Sequence, residues 1–216
     1  MFREEYKGRI NDVMSNTTFL DNVFPNPVRR FDLPIEEYVD LANFWRETLE
    51  ENRGKVFIPQ KIYFQTCRGY TVLQRRISHI IGLPNGIREY QSALFSLIKE
   101  AKSHLFSLSA EEHNEYSAYL ETIKELNEIY GIKKGHKNDN FADERLVAAA
   151  VYTSEFKKKE STIITNDRDI SKFVAMYNLS RGLRRRVSVY IPKRIENHLV
   201  TNPIERGESL EGLVWR

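Results

Sequence analysis

Apolar positions along this chain recur in two periods, and the switches between them mark out the elements. Short β-branched and aromatic runs stand at TTFLDNVF (17–24), KVFIP (55–59), STIITND (161–167) and VSVYIP (187–192), and each predicts a buried strand. Between them the spacing changes to three and four. IEEYVDLANFWRETLEEN (35–52) places apolar residues at 35, 38, 39, 41, 42, 45 and 49, a helix stripe that Gly54 brings to a stop. Residues 62–82 read as mostly helical. Two amphipathic helices follow at about 87–106 and 110–130, the second with Ser109 as N-cap and Glu112 at the capping-box position. Together they predict a helical hairpin, spanning about 86–130, inserted into the core fold. Residues 141–156 and 168–179 complete the helices, with a short polar opening helix at 2–14. One domain over 1–192 is expected, followed by a tail (193–216) with no assignable pattern.

Short apolar strands separated by helices predict an α/β fold whose parallel sheet is covered on both faces. Ligands of such sheets sit beyond the carboxyl ends of the strands. Asp21 and Asp167 stand near the carboxyl ends of two predicted strands, so the pattern alone places two acids on one edge.

Composition narrows the picture. With 41% hydrophobic and 29% charged residues the chain has the balance of a globular domain and no sign of disorder. The net charge of +3, from 33 Lys plus Arg against 30 Asp plus Glu, is too near neutral to identify a polyanionic partner, so placement decides. Cations cluster at Arg29/Arg30, Arg75/Arg76, Lys133/Lys134/Lys137, Lys157–Lys159 and Arg184–Arg186. Lys157–Lys159 fit the end of a helix, where lysines complement the dipole. Lys133, Lys134 and Lys137, with His136, directly precede the helix carrying Asp143 and are the expected substrate contacts. Arg68 joins them, one turn past Gln65. The single cysteine, Cys67, excludes an intrachain disulfide and reads as packing, and no Cys/His zinc spacing occurs. The charged N-terminus and the lack of any apolar run near 20 residues predict a cytoplasmic protein without a membrane partner.

The candidate chemistry is acidic. Asp21 closes an apolar strand, Asp143 sits in the first turn of a helix, and Asp167 ends another strand with Asp169 two residues on. Each has an ordinary alternative. Asp143 would complement a helix dipole, with Asp139 or Asn140 as cap, Asp167 would make an Asx turn, and Asp169 would cap the helix beginning at Ile170. Asp21 is the least ordinary, because an acid inside a buried strand needs a reason. Carboxylates gathered at one edge repel one another, and a divalent cation relieves the repulsion. An all-oxygen set without Cys or His suits Mg²⁺ or Mn²⁺, and such a site supports phosphodiester hydrolysis.

A strand ending in Asp (TFLDNV), a later helix reading D-x-x-x-x-A-x-A (from Asp143) and a strand ending T-x-D-x-D (IITNDRD) together resemble the PIN domain. The resemblance covers about 17–24, 55–70 and 139–191, but neither the expected hairpin nor the tail. It implies a three-layer α/β/α sandwich with a parallel central sheet. It also implies an endoribonuclease that uses Mg²⁺ or Mn²⁺, with Asp21, Asp143 and Asp167 as catalytic, metal-binding acids. Asp169 would join the metal set, and Asp139 would support it. Two departures stand out. The family places an acid early in the helix after the second strand, where this chain has Gln65, an uncharged acceptor. The first motif reads D-N-V in place of D-T-N. The alternative is therefore a catalytically silent PIN-like module that binds RNA or a protein. RNA is the expected partner, with DNA, a homodimer and a protein inhibitor left open.

Overall fold

The computed structural model describes residues 14, 16–21, 35–79, 85–132, 141–165, 167–180, 187–195 and 198–203. In chain order the elements are β1 (Thr17–Leu20), α1 (Ile35–Glu51), β2 (Val56–Phe57), α2 (Gln60–His79) and α3 (Ile87–Ala101). After a 3-10 turn at Lys102–His104 come α4 (Ala110–Tyr130), α5 (Ala142–Glu155), β3 (Ser161–Ile164), α6 (Arg168–Ser180), β4 (Val187–Ile195) and β5 (His198–Pro203). The strands order as β2-β1-β3-β4-β5. The first four run parallel, with Phe19 opposite both Phe57 and Ile163, and Ile163 opposite Val189. β5 returns antiparallel to β4, so residues the sequence left unassigned after Pro192 extend the sheet.

Successive strand residues point to opposite faces, and here they feed two separate cores. Leu20 and Ile164 face a cluster built with Tyr38, Trp45 and Leu49 of α1 and Tyr90, Leu94 and Leu97 of α3. Phe19 and Ile163 face a second cluster with Leu120 and Ile123 of α4, Val147 and Val151 of α5, and Phe173 of α6. The fold is thus α/β, four parallel strands and one antiparallel edge strand with helices on both faces, compatible with α/β/α layering.

The expected helical hairpin does not form. α3 and α4 pack into different cores on opposite faces, and the chain between them crosses the sheet edge beside β2. Periodicity reports which side of a helix is apolar but not which core it joins. The crossing is built from backbone pairing: Ile58 N–H donates to the His104 carbonyl at 2.8 Å, and Phe106 N–H donates to the Ile58 carbonyl at 2.9 Å. The buried His104 ring fastens it, with Nδ1 3.0 Å from the Val56 carbonyl oxygen and Nε2 3.3 Å from Glu100 Oε1. Glu100 also takes a forked pair from Arg53 at 2.9 and 3.0 Å, which chiefly holds its carboxyl below the usual carboxylate range.

Gly54 ends the turn after α1 at φ +79°, a conformation that favours glycine. The capping box at α4 is present in full: Ser109 Oγ accepts from Glu112 N–H at 3.2 Å, and Glu112 Oε2 accepts from Ser109 N–H at 2.8 Å. Lys157 Nζ lies 2.8 Å from Glu112 Oε1, so one lysine of the 157–159 run ties the α5–β3 turn to α4. That lysine, followed by the Ser109 amide, lowers Glu112 from 4.5 to about 2. A depressed carboxyl stabilises the fold above its unfolded value and loses that contribution as pH falls. Glu112→Gln should therefore melt below wild type at pH 7, with the difference shrinking from pH 4.5 downward and vanishing near pH 2. Melting curves across that window, which added salt should flatten, check this.

Candidate active site

Because β1 and β3 are neighbours in register, their carboxyl ends come side by side. Asp21 N–H donates to the Ile164 carbonyl at 2.9 Å, and Thr165 N–H donates to the Tyr190 carbonyl at 3.0 Å. Asp21 is only 5% exposed, and a buried carboxylate requires hydrogen-bond donors. Thr165, fully buried, supplies one: its Oγ1 donates to Asp21 Oδ2 at 2.5 Å. The same oxygen accepts from Asp167 N–H at 2.9 Å. Asp167 Oδ1 in turn accepts from Asp169 N–H at 2.9 Å, and Lys172 Nζ meets Asp169 Oδ1 at 2.8 Å. One continuous polar run thus joins Asp21, Thr165, Asp167, Asp169 and Lys172 along the carboxyl edge.

The cap of α6 differs from expectation. Asp167, directly before the first helical residue, bonds the amide two residues on and so occupies the N-cap position that the sequence assigned to Asp169. Asp169 lies inside the first turn, where Lys172 neutralises its carboxylate. At α5 the capping residue is Phe141, with φ 55° and no side-chain cap bond, in place of Asp139 or Asn140. Lys124 Nζ sits 4.7 Å from the Phe141 ring centroid.

Asp143 follows in the first turn of α5 and is partly buried. α5 connects through the short turn after Glu155 into β3 and packs against it, so the helix runs back along the strand. Its N-terminal turn therefore stands toward the carboxyl edge that carries Asp21 and Asp167. Gln65, partly buried, and Arg68, exposed, lie on α2, which starts two residues after Ile58 at the same edge. Asp139, Lys133, Lys134, His136 and Lys137 lie outside the described residues. Among the described residues no three His, Cys, Asp or Glu side chains are grouped so as to hold a metal ion. The polar run joins Asp21 with Asp167 and Asp169.

Two residues escaped the sequence reading. Thr165 was quoted only as the first letter of T-x-D, yet it connects the two strand-end acids. Glu144 is 2% exposed and accepts from Asn127 Nδ2 at 2.9 Å. Its spacing from Ala148 and Val151 puts it on the packing face of α5, a signal present in the sequence. Thr165→Val keeps the shape but removes the hydroxyl, leaving Asp21 short of a donor and Asp167 N–H short of an acceptor. The expected cost is about 1–3 kcal/mol in urea unfolding, with Thr165→Ser closer to wild type.

Comparison of the chain with family models, with curated proteins and with solved structures returns no match. Among the described residues no helix is long and apolar enough to cross a membrane.

Proposed function

We propose that this chain is a metal-dependent endoribonuclease of the PIN type, working at the carboxyl edge of its parallel sheet. The observation that carries the reading is the buried Asp21 carboxylate, joined through Thr165 to Asp167 where two parallel strands end. A parallel α/β sheet collects ligands at that edge, and a structural role alone gives an apolar strand no need of a carboxylate there. The donors are all hard oxygens, which fits Mg²⁺ or Mn²⁺ and not a soft metal.

In this reading Asp21 and Asp167 hold the ion, with Asp143 approaching from α5. A bound Mg²⁺ or Mn²⁺ supplies positive charge against the scissile phosphate and lowers the pKa of water. Thr165 orients Asp21 by donating to one carboxylate oxygen. Lys172 holds Asp169 neutralised beside the site, which limits repulsion among the acids. Arg68, with Lys133, Lys134 and Lys137 from the segment that precedes Asp143 in the sequence, contacts the phosphate backbone.

A second reading, a silent PIN-like module that binds RNA or protein, is favoured by one observation: Gln65 stands on α2 where the family carries an acid. A mixed panel of RNAs incubated with wild-type protein and Mn²⁺, and again with EDTA, separates the two. The nuclease reading expects Mn²⁺-dependent internal cleavage. Intact RNA across the panel, with the protein still binding it, would establish the silent module.

A further inference from the structure

The segment from Lys102 to Phe106 carries the chain from α3 across the sheet edge toward α4. A parallel bridge between Ile58 and Leu105 fastens it to the carboxyl end of β2. His104 lies within this strap and is 3% exposed. Both of its ring nitrogens face oxygen: Nδ1 is 3.0 Å from the Val56 carbonyl oxygen, and Nε2 is 3.3 Å from Glu100 Oε1. A carbonyl oxygen can only accept. The same holds for Glu100, because Arg53 Nε and Nη2 donate to its two oxygens and chiefly hold its carboxyl below the usual carboxylate range. Two acceptors require two donors. A neutral imidazole has one N–H and one bare nitrogen, so it leaves one of these oxygens facing a lone pair. Turning the ring over sets ring carbons against both oxygens and forfeits both bonds. Only the imidazolium satisfies the pair.

The surroundings suit that charge. Glu100, on α3, brings a negative charge to the ring. Arg53, exposed in the turn after α1, reaches the ring through Glu100, and Glu50 adds negative charge beside Arg53. Lys55 and Lys102, in the adjoining segments, are exposed. A buried acceptor that loses its donor costs more than the bond itself contributed, so the ring's charge decides how firmly the strap is held.

We propose that this strap is a pH-sensitive latch: His104, protonated on both ring nitrogens, ties α3 to β2, and loss of one proton releases the segment 102–106 from the carboxyl end of β2. Both bonds are made only by the charged ring, so the latch is closed on the acid side and opens as pH rises. Far on the acid side Glu100 sets the limit, because its part is lost once its carboxyl is protonated, below the usual carboxylate range. α2 begins at Gln60, two residues past Ile58, so the released edge is the one from which α2 sets out. The latch does not depend on the nuclease reading.

Nitrogen-15 NMR of the imidazole rings in the full chain tests it. An ordinary histidine, near about 6.5, is mostly neutral at about pH 7.5. Among the 5 histidines of the chain, one ring should still carry a proton on each nitrogen, and its signals should vanish in His104→Asn. Amide exchange supplies a second readout. Protection of the Ile58 and Phe106 amides, which bond across the crossing, should fall at least about tenfold between about pH 6 and about pH 9. The amides of Ile163 and Val189, inside the sheet, should keep theirs. Glu100→Gln offers an amide that can donate to a bare Nε2, so a neutral ring suits it. In that variant the ring should be neutral at about pH 7.5, and the pH dependence of the two amides should disappear. A His104 ring with a single proton at about pH 7.5 in wild type, or equal protection of Ile58 and Phe106 at both ends of the range, would overturn the latch.

Discussion

Asp167→Asn is expected to remove Mn²⁺-dependent RNA cleavage while leaving the protein folded, if the proposed nuclease reading holds. Asparagine is as good an N-cap as aspartate, so its side-chain oxygen still accepts from Asp169 N–H and α6 keeps its start. The substitution removes the negative charge and keeps the cap bond. Outer partners of a metal site typically cost ten- to a hundredfold when lost, so a direct ligand should cost at least about a hundredfold. Single-turnover cleavage at saturating Mn²⁺, alongside a thermal melt, measures both halves of the claim. Retained cleavage in a folded Asp167→Asn protein would reduce this residue to a helix cap.

The largest effect on stability is expected at Phe19, on the interior strand β1. Its ring is fully buried, 5.8 Å from Phe57 and 5.3 Å from Phe106 by centroids, and it faces the core shared by α4, α5 and α6. Phe106 belongs to the segment that crosses the sheet edge, so one ring joins β1, β2 and that crossing. Phe19→Ala should cost about 3–5 kcal/mol, from lost transfer energy plus an unfilled cavity. For a chain of this size the melting temperature should fall by about 10 °C. Urea unfolding at constant m-value checks it, and a change below 1 kcal/mol would mean that the cavity collapses freely. Asp21 lies two residues on, just past the end of β1, so the same variant should also loosen the acidic edge.

The elements themselves were legible in the sequence, because strand and helix periods differ so clearly in TTFL, STII and FADERLVAAAVYTSEF. The Ser109–Glu112 box, buried Trp45 and the parallel alignment of β1 with β3 followed from local rules. The placement of α3 and α4 on opposite faces did not. It is decided by His104, Ile58 and Phe106 pairing across the edge, contacts distant in sequence that leave no periodic trace. The tail was equally opaque: β5 gains its partner from β4 through backbone pairing, which side-chain pattern does not encode. At the candidate site, Asp21 and Asp167 were visible as strand-end acids. Thr165 was not, since a buried threonine at a strand end is ordinary until its hydroxyl is seen between the Asp21 carboxylate and the Asp167 amide.

The central claim is that the acidic edge holds a divalent ion, and titration calorimetry tests it without any assumption about the substrate. Mn²⁺ titrated into wild-type protein should report a saturable site, and Asp21→Asn should weaken it at least about tenfold. Because ligand bound only to the native state stabilises it by RT ln(1 + [L]/Kd), the same Mn²⁺ should raise the wild-type melting temperature more than that of the variant. Equal Mn²⁺ binding by wild type and Asp21→Asn, or no binding by either, would contradict the account and return Asp21 and Asp167 to the roles of a buried hydrogen-bond partner and a helix cap.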